Sequence, residues 1–361
     1  MREFTSDKFK GIRAPFIAGI ELTAKCNLKC VHCYAQNSRT HTDLTTEEIK
    51  EIIDILVERD MVEIFFTGGE VFTRSDFEEI YIYAKMKGLV VSVLSNITML
   101  NQKHIELFKE YPVSVVSTSM YGYSEKTYED VTRIKGSFKN FINGINLLYE
   151  NNIPFEIKYI GLRQNILDAH KIRKFGEKYG VNMVFGFDVR PTSDSNDAPI
   201  AFRVTPEEAF DFDIKDEARR KFWIEVAKKD LMRDTSLQGR KYGKRYSEGY
   251  LYPCQVAFQH VFITSDYKMQ GCTKTSYLQY DLKNGNFDEG WEYLNDNLVL
   301  SKASSENKCS NCDKSLYCEA CTANSQLTFG NTISVDSFFC KVAKLRKEFA
   351  VREAMKEFEL Q

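Results

Sequence analysis

Leu22-Thr23-Ala24-Lys25-Cys26-Asn27-Leu28-Lys29-Cys30-Val31-His32-Cys33-Tyr34 is the stretch on which the reading of this chain turns. Its cysteines fall as Cys26-x3-Cys30-x2-Cys33, directly after Phe16 to Leu22, an apolar run that reads as a β-strand. Three thiolates on one loop can bind three irons of a 4Fe–4S cube and leave the fourth iron without a protein ligand. The alternative is structural zinc, which wants four closed ligands; His32, adjacent to Cys33, is poorly placed to share a metal with it. The odd number excludes disulfides as a full account.

Seven more cysteines come late, at Cys254, Cys272, Cys309, Cys312, Cys318, Cys321 and Cys340, with none between Cys33 and Cys254. The 361 residues suffice for one large domain and a smaller one. Hydrophobic residues make up 43% and charged residues 28%, an ordinary globular composition. A formal charge of -2 gives no general reason to expect nucleic acid or an anionic membrane surface. No apolar run approaches the roughly 20 residues of a membrane span, and Met1 to Lys10 has no signal-peptide core. A cytoplasmic location follows as the default expectation, and reduced thiols there favour metal over disulfides.

Working outward, residues 16–190 alternate short apolar runs with amphipathic stretches. Strands are expected at Phe16–Leu22, Val62–Phe66, Leu89–Leu94, Val113–Thr118, Phe155–Ile160 and Val181–Phe187. Helices are expected after Thr45, with Thr45 and Glu48 forming a capping box, and over 75–87, 101–110, 137–150 and 166–179. Mostly apolar strands in β-α units predict a parallel sheet buried on both faces. Six units are too few for a closed eight-fold barrel, so the expectation is an open, partial (β/α)6 barrel with its site at the strand C-terminal ends. The remainder divides into a bridging region, 191–250, with a charged helix from Thr205 to about Asp234; a cysteine-rich region, 251–345; and a charged C-terminal helix from about Val342.

The cysteine loop resembles the signature of the radical S-adenosylmethionine (SAM) enzymes, and the likeness extends over residues 16–190. Thr67-Gly68-Gly69-Glu70, one β-α unit later, resembles that family's GGE motif, with Val71 where proline is usual. The resemblance implies that the SAM amine and carboxylate chelate the open iron, that Gly68 and Gly69 permit close backbone approach, and that Glu70 helps neutralise the amine. It places His32 and Tyr34 near adenine. Ser119, in Ser119-Met120-Tyr121-Gly122, is similar to a family serine that contacts the sugar or carboxylate. Arg133 and Asn96 are further candidates; for Arg133 a surface role at a helix start is an equal alternative. In such enzymes the cleaved cofactor yields a 5′-deoxyadenosyl radical that takes hydrogen from substrate.

Cys309-x2-Cys312-x5-Cys318-x2-Cys321 followed by Cys340 reads either as zinc knuckles or as the SPASM extension of radical SAM enzymes, which it resembles. That resemblance gives the fold class: a radical SAM partial barrel (1–190), a bridge (191–250), a SPASM iron–sulfur domain (251–345) and a terminal helix (346–361). It implies two auxiliary 4Fe–4S clusters, hence three in all. Cys309, Cys312, Cys318 and Cys340 would hold the outer one and Cys254, Cys272 and Cys321 the inner one. Two cubes need eight ligands where seven cysteines exist. The inner position left over falls either to a non-cysteine side chain or to substrate, whose thiolate would be deprotonated there.

The expected activity is an oxidoreductase that installs a thioether in a ribosomally made peptide. Carbon–carbon crosslinking or epimerisation, tetrapyrrole side-chain chemistry and sulfatase activation use the same machinery; a non-enzymatic iron–sulfur scaffold is the alternative of another class. Thr273, where sulfatase activators carry aspartate, lowers that reading. The expected partners are a precursor peptide, a separate leader-binding protein and a flavodoxin- or ferredoxin-type electron donor. The separate protein is invoked because 25 residues before Cys26 are too few for a winged helix. Arg240, Lys241, Lys244 and Arg245 could contact an acidic leader, or form a solvated linker. No catalytic acid or base is assigned.

Overall fold

Ile17–Thr23 forms β1, the strand on which the sheet is centred. The computed structural model describes residues 13–35, 42–232, 249–252, 254, 256–310 and 312–359; Arg240, Lys241, Lys244 and Arg245 lie outside them. β1 pairs in parallel with β2 (Glu63–Gly68), Ile20 opposite Phe66. β3 (Val90–Leu94), β4 (Val116–Ser119), β5 (Phe155–Ile160) and β6 (Asn182–Gly186) continue outward, all parallel. These are the six expected strands, within a few residues of their expected ends.

The other side of β1 was not foreseen. β7 (His260–Ile263) returns to pair with it in parallel, and β8 (Lys268–Gln270) and β9 (Tyr280–Asp281) extend the sheet antiparallel. The order is therefore β6-β5-β4-β3-β2-β1-β7-β8-β9. The cysteine-rich region shares the barrel's own sheet; β8 runs back along β7, so Cys272, just past it, lies level with the start of β1, while Cys26 follows its end.

Alternate residues of β1 serve different layers, as a strand's two-residue period requires. Ala18, Ile20 and Leu22 are fully buried with Ile64, Phe66, Val91 and Val93. Helix α1 (Thr46–Val57) adds Ile49, Ile52, Ile53 and Leu56 to this core. Its capping box is the expected one: the Thr45 hydroxyl accepts from the Glu48 amide at 3.2 Å, and the Glu48 carboxylate accepts from the Thr45 amide at 2.7 Å. On the opposite face stands Gly19, whose missing Cβ would lie 2.3 Å from the Phe65 ring and 2.5 Å from the Phe262 ring. Those rings lie 6.3 Å apart between centroids and fill the space beside Gly19.

Helices α2 (Phe77–Met86), α3 (Gln102–Glu110), α5 (Ser137–Glu150) and α6 (Ala169–Tyr179) lie where expected. Helix α4 (Glu125–Thr132) was missed; it is polar, and only Tyr128, Val131 and Thr132 are buried. The single helix expected from Thr205 is two, α7 (Pro206–Lys215) and α8 (Glu217–Leu231). Asp216 between them is extended, and its carboxylate caps α8 by accepting from the Arg219 amide at 3.0 Å. The C-terminal helix starts at Ser337 rather than Val342 and runs to Glu359, because Asp336 caps it through the Phe338 amide at 2.9 Å. Cys340 thus sits in its first turn. Among the described residues, no helix is long and apolar enough to cross a membrane.

Candidate functional site

The loop carrying Cys26, Cys30 and Cys33 is fixed from three sides. Asp43 accepts from the Thr23 hydroxyl at 2.6 Å and the Ala24 amide at 2.9 Å. The Lys29 and Val31 amides donate to the carbonyls of Thr132 and Val131 at 2.9 and 3.0 Å, using carbonyls that the end of α4 leaves unpaired. The third side is the glycine pair. The Gly69 amide donates to the Thr23 carbonyl, and the Glu70 amide to the Lys25 carbonyl, both at 2.8 Å. A Cβ on Gly69 would lie 2.2 Å from the Lys25 carbonyl oxygen. These glycines bring two backbone segments together; they are spacers for the cysteine loop itself.

Glu70 is 1% exposed. Its carboxylate accepts from the Ser95 hydroxyl at 2.6 Å, the Asn96 amide at 2.7 Å and the Phe72 amide at 3.2 Å. A carboxylate has about four lone-pair sites, so about one stays open. Burial pushes Glu70 up to about 7 from 4.5, against the opposing effect of those bonds. A raised folded-state value means the fold holds this proton more tightly than the unfolded chain does. The stabilising contribution is complete below pH 4.5 and is lost as pH rises through about 7. The loss amounts to about 3 kcal/mol at about 1.4 kcal/mol per unit. We expect urea midpoints of the wild type to fall more steeply between pH 5 and pH 7 than those of Glu70→Gln; equal slopes contradict this.

Asn96 donates to the Asn27 side-chain oxygen at 3.0 Å and lies 3.9 Å from the Cys26 thiol. His32 packs edge-on against Tyr121 at 4.9 Å, and its buried Nδ1 has no hydrogen-bond partner. Burial pushes the imidazole down to about 4, so it is neutral near pH 7. The Tyr121 hydroxyl is raised by burial and then by the charges of Cys30, Cys33 and Cys26, with a hydrogen bond to Ser119 opposing. Cys26, Cys30, Cys33, His32, Glu70, Asn96 and Ser119 are therefore one locale.

Arg133 behaves differently. It is exposed, holds a left-handed φ of 59°, and caps α4 through its amide to the Glu129 carbonyl at 2.8 Å. Glycine takes that conformation without steric penalty. Arg133→Gly is expected to raise stability by about 1 kcal/mol. If SAM affinity by calorimetry also stays unchanged, Arg133 is a cap and not a cofactor contact.

A strap leaving β6 joins this locale to the late cysteines. The Arg190 guanidinium lies 4.0 Å from the centroid of the Tyr34 ring. It donates to the Thr273 carbonyl at 2.8 Å and hydroxyl at 3.1 Å. Asp188 forms an ion pair with Lys274 and accepts from the Asn324 amide group at 2.6 Å. Tyr34 and Thr273 each neighbour a cysteine, Cys33 and Cys272. From sequence, Asp188, Arg190, Lys274, Asn324, Asn27 and Tyr121 had no role. The available signal was an acid and a base two residues apart just past the last parallel strand, at the mouth where such barrels bind ligands.

None of the ten cysteines, all among the described residues, is in a disulfide. The late ones separate into two sets. Burial, then the Cys318, Cys340 and Cys312 charges, push the Cys309 thiol up to about 11; Cys340 is raised by burial, then Cys318 and Cys312. Burial, then Cys321 and Cys272, push Cys254 up to about 12; Cys272 is raised by burial, then Cys321. Cys254 is exposed. Tyr252 and Tyr277, hydroxyls 2.8 Å apart, border this second set. Among the described residues no three Cys, His, Asp or Glu side chains close on a point as one metal ion needs. A cube instead takes one thiolate per iron at spaced corners, and the thiol-only donor sets suit iron–sulfur chemistry. The orphaned His32 Nδ1 and the lone pair left on Glu70 likewise suit a polar cofactor beside the first set.

Residues 20–176 match the family described as the Radical SAM superfamily. The chain is 34% identical over 153 residues to Fe-coproporphyrin III synthase of Methanosarcina barkeri and 31% identical over 193 residues to the antilisterial bacteriocin subtilosin biosynthesis protein AlbA of Bacillus subtilis. Those matches cover 42% and 50% of this chain but only 38% and 43% of the relatives. AdoMet-dependent heme synthase of M. barkeri is 24% identical over 90% of this chain and 96% of its own length. Among solved structures, Streptococcus suis SuiB bound to S-adenosylmethionine has a TM-score of 0.66 at 14% identity, covering 92% of this chain and 80% of SuiB. Native anSMEcpe with bound AdoMet and Kp18Cys peptide has a TM-score of 0.68 at 15% identity, covering 96% and 100%. Residues 20–176 are a radical SAM domain.

Proposed function

We propose that this enzyme matures a ribosomally made peptide and installs a thioether between a cysteine sulfur and a carbon. The observation that carries the reading is the strap: Asp188 and Arg190 tie the Cys33–Tyr34 turn to the Cys272–Lys274 turn and to Asn324. The radical-forming locale and a three-thiol set are thereby held as neighbours. Among the similar proteins, AlbA is named for bacteriocin biosynthesis and SuiB has been solved bound to precursor peptide SuiA.

In this reading Cys26, Cys30 and Cys33 hold a 4Fe–4S cluster, with His32, Tyr34, Gly68, Gly69, Glu70, Asn96 and Ser119 around SAM. When bound, that pair supplies one-electron cleavage chemistry and an acceptor for a substrate hydrogen atom. Neutral His32 presents Nδ1 to the cofactor, and Glu70 keeps one acceptor position for an ammonium. Cys309, Cys312, Cys318 and Cys340 hold one auxiliary cluster. Cys254, Cys272 and Cys321 hold the other and leave one position for the substrate thiolate. Domain limits near residues 190, 250 and 345 belong to the same proposal.

The full-length match to a heme synthase favours a second reading, side-chain chemistry on a tetrapyrrole. The test is mass spectrometry after anaerobic incubation of the iron-loaded enzyme with SAM and reductant. One sample receives a cysteine-containing candidate precursor peptide, the other Fe-coproporphyrin. Thioether formation removes two hydrogens from the peptide and consumes one thiol. A modified peptide that keeps every thiol sinks the thioether; an unchanged peptide with an altered porphyrin selects the second reading.

A further inference from the structure

Phe155, Ile157 and Tyr159 of β5 join the hydrophobic core, so the strand's two-residue period turns Glu156 and Lys158 to the opposite face, the barrel interior. There the Glu156 carboxylate accepts from the Ser117 hydroxyl of β4 at 2.8 Å and from the Asn182 side-chain amide of β6 at 3.2 Å. Lys158, half-buried, stands one step nearer the barrel mouth. Its ion-pair partner among the described residues is Glu156 at 3.7 Å, beyond the roughly 2.7–3.2 Å of a hydrogen bond. An ammonium has three donors to place. A carboxylate at that distance, already held by two other donors, does not satisfy them. Burial lowers the pKa of Lys158, with the Glu156 charge opposing. An anion arriving beside the ammonium favours its charged form.

Register decides what this cation faces. Lys158 pairs with Ser119 on β4 and with Val184 on β6. From β1 outward, the strand ends carry the cysteine loop, Glu70, Asn96 and Ser119, the residues read above as surrounding SAM. β5 is the next strand, so Lys158 stands beside that locale, one strand further from the thiol triad. Substrate belongs there too, because hydrogen transfer needs the reacting atoms within about 3–3.5 Å. Val184, 42% exposed on the same face, is an apolar neighbour. An apolar wall with one convergent cation suits a carboxylate-bearing group. We propose that Lys158 anchors a carboxylate of the substrate inside the barrel. The proposal rests on the radical reading of the barrel and deepens it by giving the substrate a charge. In a peptide that group is an Asp or Glu side chain near the modified residue; in a tetrapyrrole it is a propionate. The shared chemistry is a charge-assisted hydrogen bond from one ammonium to one carboxylate.

The test is calorimetry on the iron-loaded full chain with SAM present. Three probes are titrated: the candidate precursor peptide, the same peptide with every Asp and Glu changed to Asn and Gln, and Fe-coproporphyrin. Wild type is compared with Lys158→Met and with Lys158→Arg, which keeps the cation. SAM is titrated first, and an unchanged SAM Kd shows that each variant is folded and loaded. Anchoring predicts that Kd for an acidic probe weakens on the order of tenfold in Lys158→Met and stays near wild type in Lys158→Arg. The amide peptide should bind the wild type as weakly as the acidic peptide binds Lys158→Met, which tests the same contact should that variant fail to load. An effect confined to Fe-coproporphyrin keeps the anchor and sinks the peptide reading. The proposal is overturned if neither acidic probe binds or weakens, if acidic and amide peptides bind the wild type equally and Fe-coproporphyrin is unaffected, or if the SAM Kd weakens by the same factor. A wild type that makes no deoxyadenosine with dithionite refutes the radical chemistry instead, so the two failures are distinguishable.

Discussion

Replacing Arg346 with Met is expected to cost about 3–5 kcal/mol of stability, the range for breaking a buried ion pair from one side. Arg346 is 2% exposed. Its guanidinium donates to Asp213 at 2.6 Å, to Glu319 at 2.8 Å and to the Tyr317 carbonyl at 3.3 Å, and lies 4.3 Å from the centroid of the Trp223 ring. Asp213, fully buried, keeps Arg219 as its remaining ion-pair partner. Three elements are tied at this point: α7, through Asp213; α8, through Trp223; and the C-terminal helix. Tyr317 and Glu319 flank Cys318, so the same residue steadies the turn between Cys318 and Cys321. The variant should therefore unfold at lower urea and also bind less iron. A loss under 1 kcal/mol with full iron content would show that the network contributes little.

Arg190→Met should leave deoxyadenosine formation largely intact while product per deoxyadenosine falls on the order of a hundredfold, the scale of a misplacement of about 1 Å. The guanidinium is nearly buried; it stacks on Tyr34 and fixes Thr273 by two bonds at once. Removing it frees the Cys272 turn from the Cys33 turn without touching a thiol. Arg190→Lys should not rescue, because an ammonium cannot stack and donate in that planar fork. Rescue by lysine, or parallel loss of cleavage and product, would mean that Arg190 serves only as a local charge or as a structural prop.

The parallel half of the fold was legible because its signals are local. Apolar runs in β1 to β6 and the Thr45/Glu48 box depend on neighbours in sequence. The return of β7 to β1 was not, since four residues, His-Val-Phe-Ile, carry no mark of their partner more than 200 residues away. Likewise Asp216 reads as a helical residue until its carboxylate is seen capping α8. At the site, the two late cysteine sets came from the family resemblance, and within each set the thiols lie close enough to raise one another's titration. Glu70 and the glycine pair had further roles hidden in tertiary contacts: Ser95 and Asn96 hold the carboxylate, and the Lys25 backbone fills the space at Gly69. Arg133 was read as a choice between cofactor contact and surface residue, and its left-handed cap is a backbone fact no spacing reveals.

The account stands most directly on the first thiol triad. The chain is reconstituted anaerobically with iron and sulfide, an expected uptake of about twelve irons if all three proposed 4Fe–4S clusters form; it is then mixed with SAM and dithionite, and 5′-deoxyadenosine is quantified by chromatography. The wild type should produce it, and Cys26→Ala/Cys30→Ala/Cys33→Ala should produce none while retaining about eight irons on the late cysteines. Deoxyadenosine from the triple variant, or none from the iron-loaded wild type, would contradict the account.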